Sequence, residues 1–572
     1  MVLVENEEII SDNHKIADIM NDYFVNITKN LNIQNPIFSL EGNEIVGPID
    51  QIISSYREHP SVIKIHEIIE HNGQFSFKDV SDFHIEKEIL LLNPKKAAGF
   101  DSIPPKILKD CIYLVKGPLS QIFNENISLC SFPSELKYAN VIPISKTKNG
   151  NTNKENYRPI SILPTISKLF ERLMFQQISA FISDFISPYL CGFRKGYSTQ
   201  HALLRLMNKL NNSLDRKEKV GLLMMDLSKA FDCIPHELLI AKLHAYGFGK
   251  QSLKLIYDYL KGRNQRVKIN ADFSSWRTIL NGVPQGSVLG PLLFNLFIND
   301  IFYNIDVNDI CNYADDNTLS VADADINEII YKMEYKIKIL DIWFSDNMLV
   351  QNKKKYQFLV IESTKAPKRE NAVLTVGNNT IEEVKSGKLL GITLDSNINL
   401  ANHIQKICKI ASNKLHALAR ISSFLDGPQR KILMKSFITS QFNYCPIIWM
   451  YCQRTSNNVI NRIHERALRL AYNDYISDFE GLLARDDSVT IHVRNIQSLT
   501  VEISKTINDT SPSFMKEIFC LKKQAYYTRR QQLQIKTPRT TTYGLNNFGY
   551  RAAQIWNSIP IHIQNSNLST IK

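Results

Sequence analysis

No Cys-x-x-Cys pair occurs among the nine cysteines, which are scattered from Cys111 to Cys520. A sparse, odd set in a chain this long implies reduced thiols in an intracellular protein, not a disulfide framework. Cys445, Cys452 and His464 have neither the spacing nor the fourth ligand of a usual zinc site. Long hydrophobic runs are missing as well. No window reaches about 18 consecutive apolar residues, and the run 291–298 stops at Asn299 and Asp300, so no membrane span is expected. The acidic start Met1-Val-Leu-Val-Glu-Asn-Glu-Glu has no n-region and no long apolar h-region, so the expected location is cytoplasm and/or nucleus, not secreted. There is no fixed-period repeat, no P-loop and no Ser-His-Asp arrangement, which excludes solenoids, propellers, P-loop NTPases and triad hydrolases. His201, His236, His244 and His492 stand singly and read as helix or core residues.

What is present is ordinary globular material. The chain has 572 residues, 44% hydrophobic and 22% charged. At about 150 residues per domain, it makes three or four packed units. Lys and Arg outnumber Asp and Glu by 68 to 56, a net charge of +12 that favours a polyanionic partner. Residues 521–572 hold eight basic residues (Lys522, Lys523, Arg529, Arg530, Lys536, Arg539, Arg551, Lys572) and no acidic ones. Interleaved Tyr526, Tyr527, Tyr543, Phe548, Tyr550 and Trp556 point to nucleic acid, since aromatics stack on bases while cations meet phosphates; a solvated surface is the bland alternative.

The texture changes along the chain. Residues 1–90 read as helices and loops, with helical spacing at Ile16, Ile19, Met20, Tyr23, Phe24, Ile27 and Leu31 after Ser11-Asp12-Asn13. Between Val220 and Leu394 short apolar strands alternate with helices, an α+β pattern. From His403 to Ile507 the period is mainly helical, so boundaries fall near 90, 395 and 510.

Two stretches carry the chemistry. Val220-Gly-Leu-Leu-Met-Met ends on Asp226, a carboxylate at the tip of a buried strand, which is costly unless a cation or hydrogen bonds meet it. Ile310-Cys-Asn-Tyr-Ala-Asp-Asp-Asn-Thr-Leu-Ser-Val321 reads as a hairpin with Asp315-Asp316-Asn317 in its turn. Taken singly, the first reads as a helix-cap or turn Asp and the second as a plain polar turn. Taken together, they set Asp226 and Asp315 at one edge of one sheet. Hard oxygen ligands of this kind suit Mg²⁺, and two such ions about 4 Å apart serve phosphoryl transfer.

At this point the chain resembles a known family. Met225-Asp-Leu-Ser-Lys-Ala-Phe-Asp232, Pro284-Gln-Gly-Ser-Val-Leu-Gly-Pro291 and Tyr313-Ala-Asp-Asp316 occur in the order of the reverse-transcriptase A, B and C motifs. Asn156-Tyr-Arg-Pro-Ile-Ser161, Gly192-Phe-Arg-Lys-Gly-Tyr-Ser-Thr199, Leu389-Leu-Gly-Ile-Thr-Leu-Asp395 and Phe442-Asn-Tyr-Cys-Pro446 are similar to words of a jockey-like non-LTR retrotransposon reverse transcriptase. The resemblance runs from about residue 15 to the C-terminus. It implies an α+β right-hand polymerase. Its parts would be an N-terminal helical extension (1–90), fingers (91–215), a palm with an antiparallel sheet (216–395, the reverse transcriptase domain overall about 125–395), a helical thumb (396–510) and a basic aromatic region (511–572).

The same resemblance implies the roles. Asp226, Asp315 and Asp316 would be the catalytic, metal-binding triad for two Mg²⁺ (Mn²⁺ as an alternative), helped by the Leu227 carbonyl. Phe231 would lie under the incoming sugar and obstruct a 2′-hydroxyl, against a core role. Gln285 and Gly286 would touch the template base and incoming nucleotide, against a simple turn. Arg158, Arg194 and Lys146 would neutralise triphosphate, against solvated surface roles. Lys355 matches a lysine that protonates pyrophosphate. The family's usual Thr after it is here Tyr356, however, and Lys353, Lys354 and Lys355 leave open which one acts. The implied partners are an RNA template (the element's own RNA), a DNA primer or target, and dNTPs. The 90-odd residues ahead of the polymerase are too few for the endonuclease usual in such elements, so a polymerase separated from its nuclease is expected. The rival readings are a catalytically silent nucleic-acid-binding protein derived from such an element, and an RNA-dependent RNA polymerase. The intact acids argue against the first; Tyr313-Ala before Asp315-Asp316, with Phe231, argues against the second.

Overall fold

The computed structural model describes residues 1–5, 7–31, 47–70, 73–146, 152–367, 369–522, 534–537 and 548–564. The chain forms two compact units. One comprises Met1–Ser187, Leu227–Ile305 and Ile339–Asn352, the other Pro188–Asp226, Asp306–Lys338 and Lys353–Lys572. All nine cysteines are free thiols. Among the described residues no helix is long and apolar enough to cross a membrane. The apolar run near 291 is the helix Gly290–Ile298, buried at every position but Pro291.

The first unit is built on a sheet whose strand Tyr138–Ser145 pairs antiparallel with Tyr157–Ile162 and parallel with Arg263–Ile269. Arg263–Ile269 buries alternate residues, Arg263, Gln265, Val267 and Ile269, as a one-sided strand must. Helix Asn13–Val25 covers that face, placing Ile16, Ala17, Met20 and Phe24 in one apolar cluster with Val141, Val267 and Ile269. Its N-cap Asp12 accepts from Lys15 N at 2.8 Å, the capping the sequence signals. Buried Asn21 and Gln265 satisfy each other, Gln265 Nε2 donating to Asn21 Oδ1 at 3.0 Å. The expectation of helices and loops for residues 1–90 needs one correction. Leu3–Glu5 and Glu8–Ile10 pair as a small antiparallel hairpin, too short to show a period.

The second unit is built on a four-stranded antiparallel sheet, in the order Gln357–Ile361, Lys219–Met225, Asp316–Asp323, Ile310–Tyr313. Lys219–Met225 is central and buried from Val220 to Met225, which is why its sequence is a continuous apolar run instead of an alternating one. Gly221 lets a helix approach closely: a Cβ there would lie 2.6 Å from Ile329 Cγ2. Helix Thr199–Asp215 contributes Leu203, Met207 and Leu210 to the same core as Leu222 and Met224. From Ala401 to Ile507 the regular elements are all helical, chiefly Ala401–Ile421, Arg454–Tyr472 and Ile491–Ile507.

Most of the basic aromatic stretch, including Lys523, Tyr526, Tyr527, Arg529, Arg530, Arg539, Tyr543 and Lys572, lies outside the described residues. Trp556 does not, and its expected stacking role is corrected. On helix Phe548–Ser558 it is 1% exposed and belongs to the core of the second unit. A large apolar ring gains more from that burial than from solvent exposure.

Candidate active site

The acids meet in the second unit. Asp226 directly follows the central strand, and the pairing of Met225 with Asn317, carried one residue further, sets Asp226 opposite Asp316. Asp316 opens its strand and pairs with Tyr313, so the hairpin turn is only Ala314-Asp315. This narrows the expected turn: Asn317 is not in it but buried in the strand at 3% exposure. Ala314 takes φ 56°, a left-handed conformation that costs a non-glycine residue about 1 kcal/mol or more. Asn312 holds the strained turn. Its Nδ2 donates at 2.9 Å both to Ala314 O and to Asn317 Oδ1, while Asn317 Nδ2 donates to Asp315 O at 3.3 Å.

Asp226 is 39% exposed on its side chain, and Lys355 Nζ lies 3.2 Å from its Oδ2. An ammonium thus occupies cation-binding distance from the carboxylate, and the donor set is hard oxygen, which fits Mg²⁺. Among the described residues no three His, Cys, Asp or Glu side chains are already assembled to hold a metal. Mg²⁺ does not need such a cage, because it keeps waters and binds through one or two carboxylates plus substrate phosphates. Arg194, also in this unit, stacks its guanidinium 4.2 Å from the Tyr197 ring centroid and donates to Leu190 O at 3.3 Å.

A second group lies in the first unit. Phe231 is half-buried and stacks on Phe294 with centroids 4.2 Å apart at 18°. Gly286 has φ 123°, and a Cβ there would be 2.5 Å from Ser161 O, so only glycine fits. Ser161 N donates to Gln285 O at 2.7 Å, joining that loop to the strand that carries Arg158. Arg158 is exposed, and so is Lys146, whose Nζ donates to Glu155 O at 3.1 Å. Leu227 is buried and bridges to Gln351.

Two residues of this group were missed in the sequence, although both stand inside the word that ends at Asp232. Burial pushes the Asp232 carboxyl up to about 6, against the Gln285 hydrogen bonds and Lys229, which pull it down. Burial, with Lys146 nearby, lowers the Lys229 ammonium to about 8, and its Nζ donates to Tyr157 O at 3.1 Å. Spacing alone gave neither residue a partner.

Carboxylates gathered at one end of an antiparallel sheet, with a cation already drawn to them, make the kind of site that nucleotidyl transfer needs. The class becomes particular in comparison with known proteins. Residues 144–394 match the family described as "Reverse transcriptase (RNA-dependent DNA polymerase)". The chain is 27% identical over 402 residues to the probable RNA-directed DNA polymerase from transposon BS of Drosophila melanogaster, covering 67% of this chain and 44% of that protein. It is 26% identical over 453 residues to the RNA-directed DNA polymerase from mobile element jockey of the same species, covering 75% and 48%. The probable RNA-directed DNA polymerase from transposon X-element is 28% identical over 417 residues, covering 68% and 43%. Residues 144–394 are therefore a reverse transcriptase domain, and the chain resembles the jockey-like non-LTR kind. It spans about half the length of the curated relatives it matches.

Proposed function

We propose that the chain is an RNA-directed DNA polymerase of a non-LTR mobile element, extending a primer 3′-hydroxyl with dNTPs on an RNA template. The single observation that carries this reading is the placement of Asp226 beside the Ala314-Asp315 turn and Asp316 at one end of the antiparallel sheet. In it, residues 91–215 act as fingers, 216–395 as palm, 396–510 as a helical thumb and 511–572 as a basic nucleic-acid-binding region.

Asp226, Asp315, Asp316 and the Leu227 carbonyl would hold two Mg²⁺ ions. When bound, these ions supply charge that lowers the cost of the attacking alkoxide and of the leaving pyrophosphate. The primer 3′-hydroxyl gives up its proton to solvent, and its oxygen bonds to the α-phosphorus as the bond to the pyrophosphate oxygen breaks. Arg158, Arg194 and Lys146 neutralise the triphosphate, and Lys355 delivers a proton to the leaving oxygen. Phe231 closes the space a 2′-hydroxyl would need, so dNTPs are favoured over rNTPs. Gln285 and Gly286 meet the template base and the incoming nucleotide. Much of the rate enhancement comes from such positioning and preorganised charge. The partners are an RNA template, in the cell the element's own RNA, and a DNA primer or target. The experiment is extension of a DNA primer annealed to RNA by purified protein with dNTPs and Mg²⁺. Product in the wild type and none in Asp315→Asn supports the reading; no product from well-folded wild type refutes it.

A further inference from the structure

The word Met225-Asp-Leu-Ser-Lys-Ala-Phe-Asp232 ends on an acid to which the proposed function gives no role. Gln285 Nε2 donates to both oxygens of Asp232, at 2.8 Å to Oδ1 and 2.9 Å to Oδ2. Three more links fasten the same two segments. Val283 N donates to Phe231 O at 2.9 Å, Gly282 N donates to Ile234 O at 2.8 Å, and the buried His236 Nε2 lies 2.7 Å from Gly282 O. The segments close this far only because residue 282 is glycine: its φ is 78°, and a Cβ would stand 2.7 Å from the Asp232 backbone. With Ser161 N bonded to Gln285 O, residue 285 is held by its main chain on one side and by its side chain on the other.

A glutamine side chain ends in both a donor and an acceptor, and nothing in glutamine itself decides which one turns outward. An ionised carboxylate accepts only, so it selects the NH₂ end and leaves the carbonyl Oε1 facing away. Resting on the proposed function, which sets Gln285 at the nucleotide, we infer that Asp232 is a positioning residue. It orients the Gln285 amide so that the nucleotide meets a carbonyl acceptor, whose partner must be a hydroxyl or amine donor. Ionisation of Asp232 faces Lys229, Lys146, Tyr23 and the Cys233 thiol, charged and titratable groups around it.

The test compares wild type, Asp232→Ala, Gln285→Glu and the double variant Asp232→Asn/Gln285→Glu on a primed RNA template at saturating Mg²⁺. Asp232→Ala releases the amide and should raise the dNTP KM about 10-fold, the effect of losing a hydrogen bond to a charged group, with primed-template Kd unchanged. Gln285→Glu sets two carboxylates against each other and should do worse. The double variant restores an N–H···O pair, donated now from residue 232, with an acceptor again outward, and should recover most of the KM. Simple loss of packing predicts no such rescue. A KM within twofold of wild type in folded Asp232→Ala, or a folded double variant no better than Gln285→Glu, overturns the assignment. If Asp232→Ala fails to fold, the near-isosteric double variant still decides. Wild type that does not extend the primer overturns the proposed function itself, whereas active wild type without rescue overturns only the orientation by Asp232.

Discussion

Gly192 lies against the backbone of Ala314 so closely that a Cβ on Gly192 would stand 2.5 Å from the Ala314 nitrogen. Asn312 grips the same turn through Ala314 O, and the Ala314 φ of 56° is strained. A strained conformation persists only where its surroundings over-determine it. Gly192→Ala must therefore move the turn that carries Asp315. Because misplacement of about 1 Å at a reacting centre costs about 10²-fold, kcat should fall by roughly that factor. Primed-template Kd should hold and the melting temperature should drop only modestly. A kcat equal to wild type would show that the turn does not depend on this contact.

Asp226→Ala or Asp315→Asn should depress primer extension by at least ~10³-fold, about 4 kcal/mol of barrier. Binding of primed template should survive, since it rests on Lys and Arg. Asp226→Ala also leaves Lys355 without the carboxylate it meets at 3.2 Å, so that ammonium becomes free to reorient. Single-turnover extension beside a filter-binding isotherm separates the two effects; wild-type rates in either variant would contradict the triad.

The acids were legible because their signal is local: an apolar strand that ends on Asp226, and a hairpin whose turn is acidic. The helical texture after His403 was legible for the same reason, since a 3.6-residue period needs no partner to be seen. What was not legible lies between segments. The parallel pairing of Tyr138–Ser145 with Arg263–Ile269 leaves no mark in either strand's own pattern. The Gly192–Ala314 approach and the Asp232–Gln285 pair likewise join words that a single sequence shows only one after the other. Trp556 reads as an exposed stacking ring because the segment 521–572 that holds it is basic and lacks acids, whereas its neighbours in space are the core of the second unit.

Phe231 stacks on Phe294 with centroids 4.2 Å apart, a contact that holds the plane of its ring. Phe231→Val should shorten the side chain, admit a 2′-hydroxyl and raise rNTP use, with a modest loss for dNTPs. The readout is the ratio of kcat/KM for dGTP to that for GTP. An unchanged ratio would return Phe231 to a packing role.

Asp232 and Lys229 make stability depend on pH in two separate windows. The Asp232 carboxyl sits at about 6, above the ordinary 3.8, so between about pH 4 and 6 the folded state holds a proton that the unfolded chain has lost. That stabilising contribution is fully present below the ordinary value and disappears as pH rises through about 6. Lys229 sits at about 8, below the ordinary 10.5, so the unfolded chain binds the extra proton between those values and stability rises with pH there. Asp232→Asn should flatten the lower window by about 2 kcal/mol, after a discount for its half-buried setting. Urea midpoints at pH 4, 5, 6 and 7 measure it; parallel profiles for variant and wild type would contradict the shift.

Deleting residues 521–572 would not isolate the charge of the C-terminal region. Trp556, Ala552 and Ala553 are core residues, and Asn557 exchanges hydrogen bonds with the Ile535 backbone, N–H to Oδ1 and Nδ2 to O, both 2.9 Å. Removing them would open the second unit. Lys522, Lys536 and Arg551 are exposed, and replacing the three with glutamine removes charge while leaving those contacts in place. If these cations meet RNA phosphates, each lost contact reduces the magnitude of the log K against log salt slope by about 0.7 on single strands, so the triple variant should shallow it by about 2. The loss of affinity should be large at low salt and small at high salt. Extension on a pre-annealed template at saturating concentration should change less, because the carboxylates proposed to carry it are untouched. A solvated flank predicts instead that wild type and triple variant give parallel salt plots, and with circular dichroism confirming that both are folded, that outcome would assign these three charges to the surface alone.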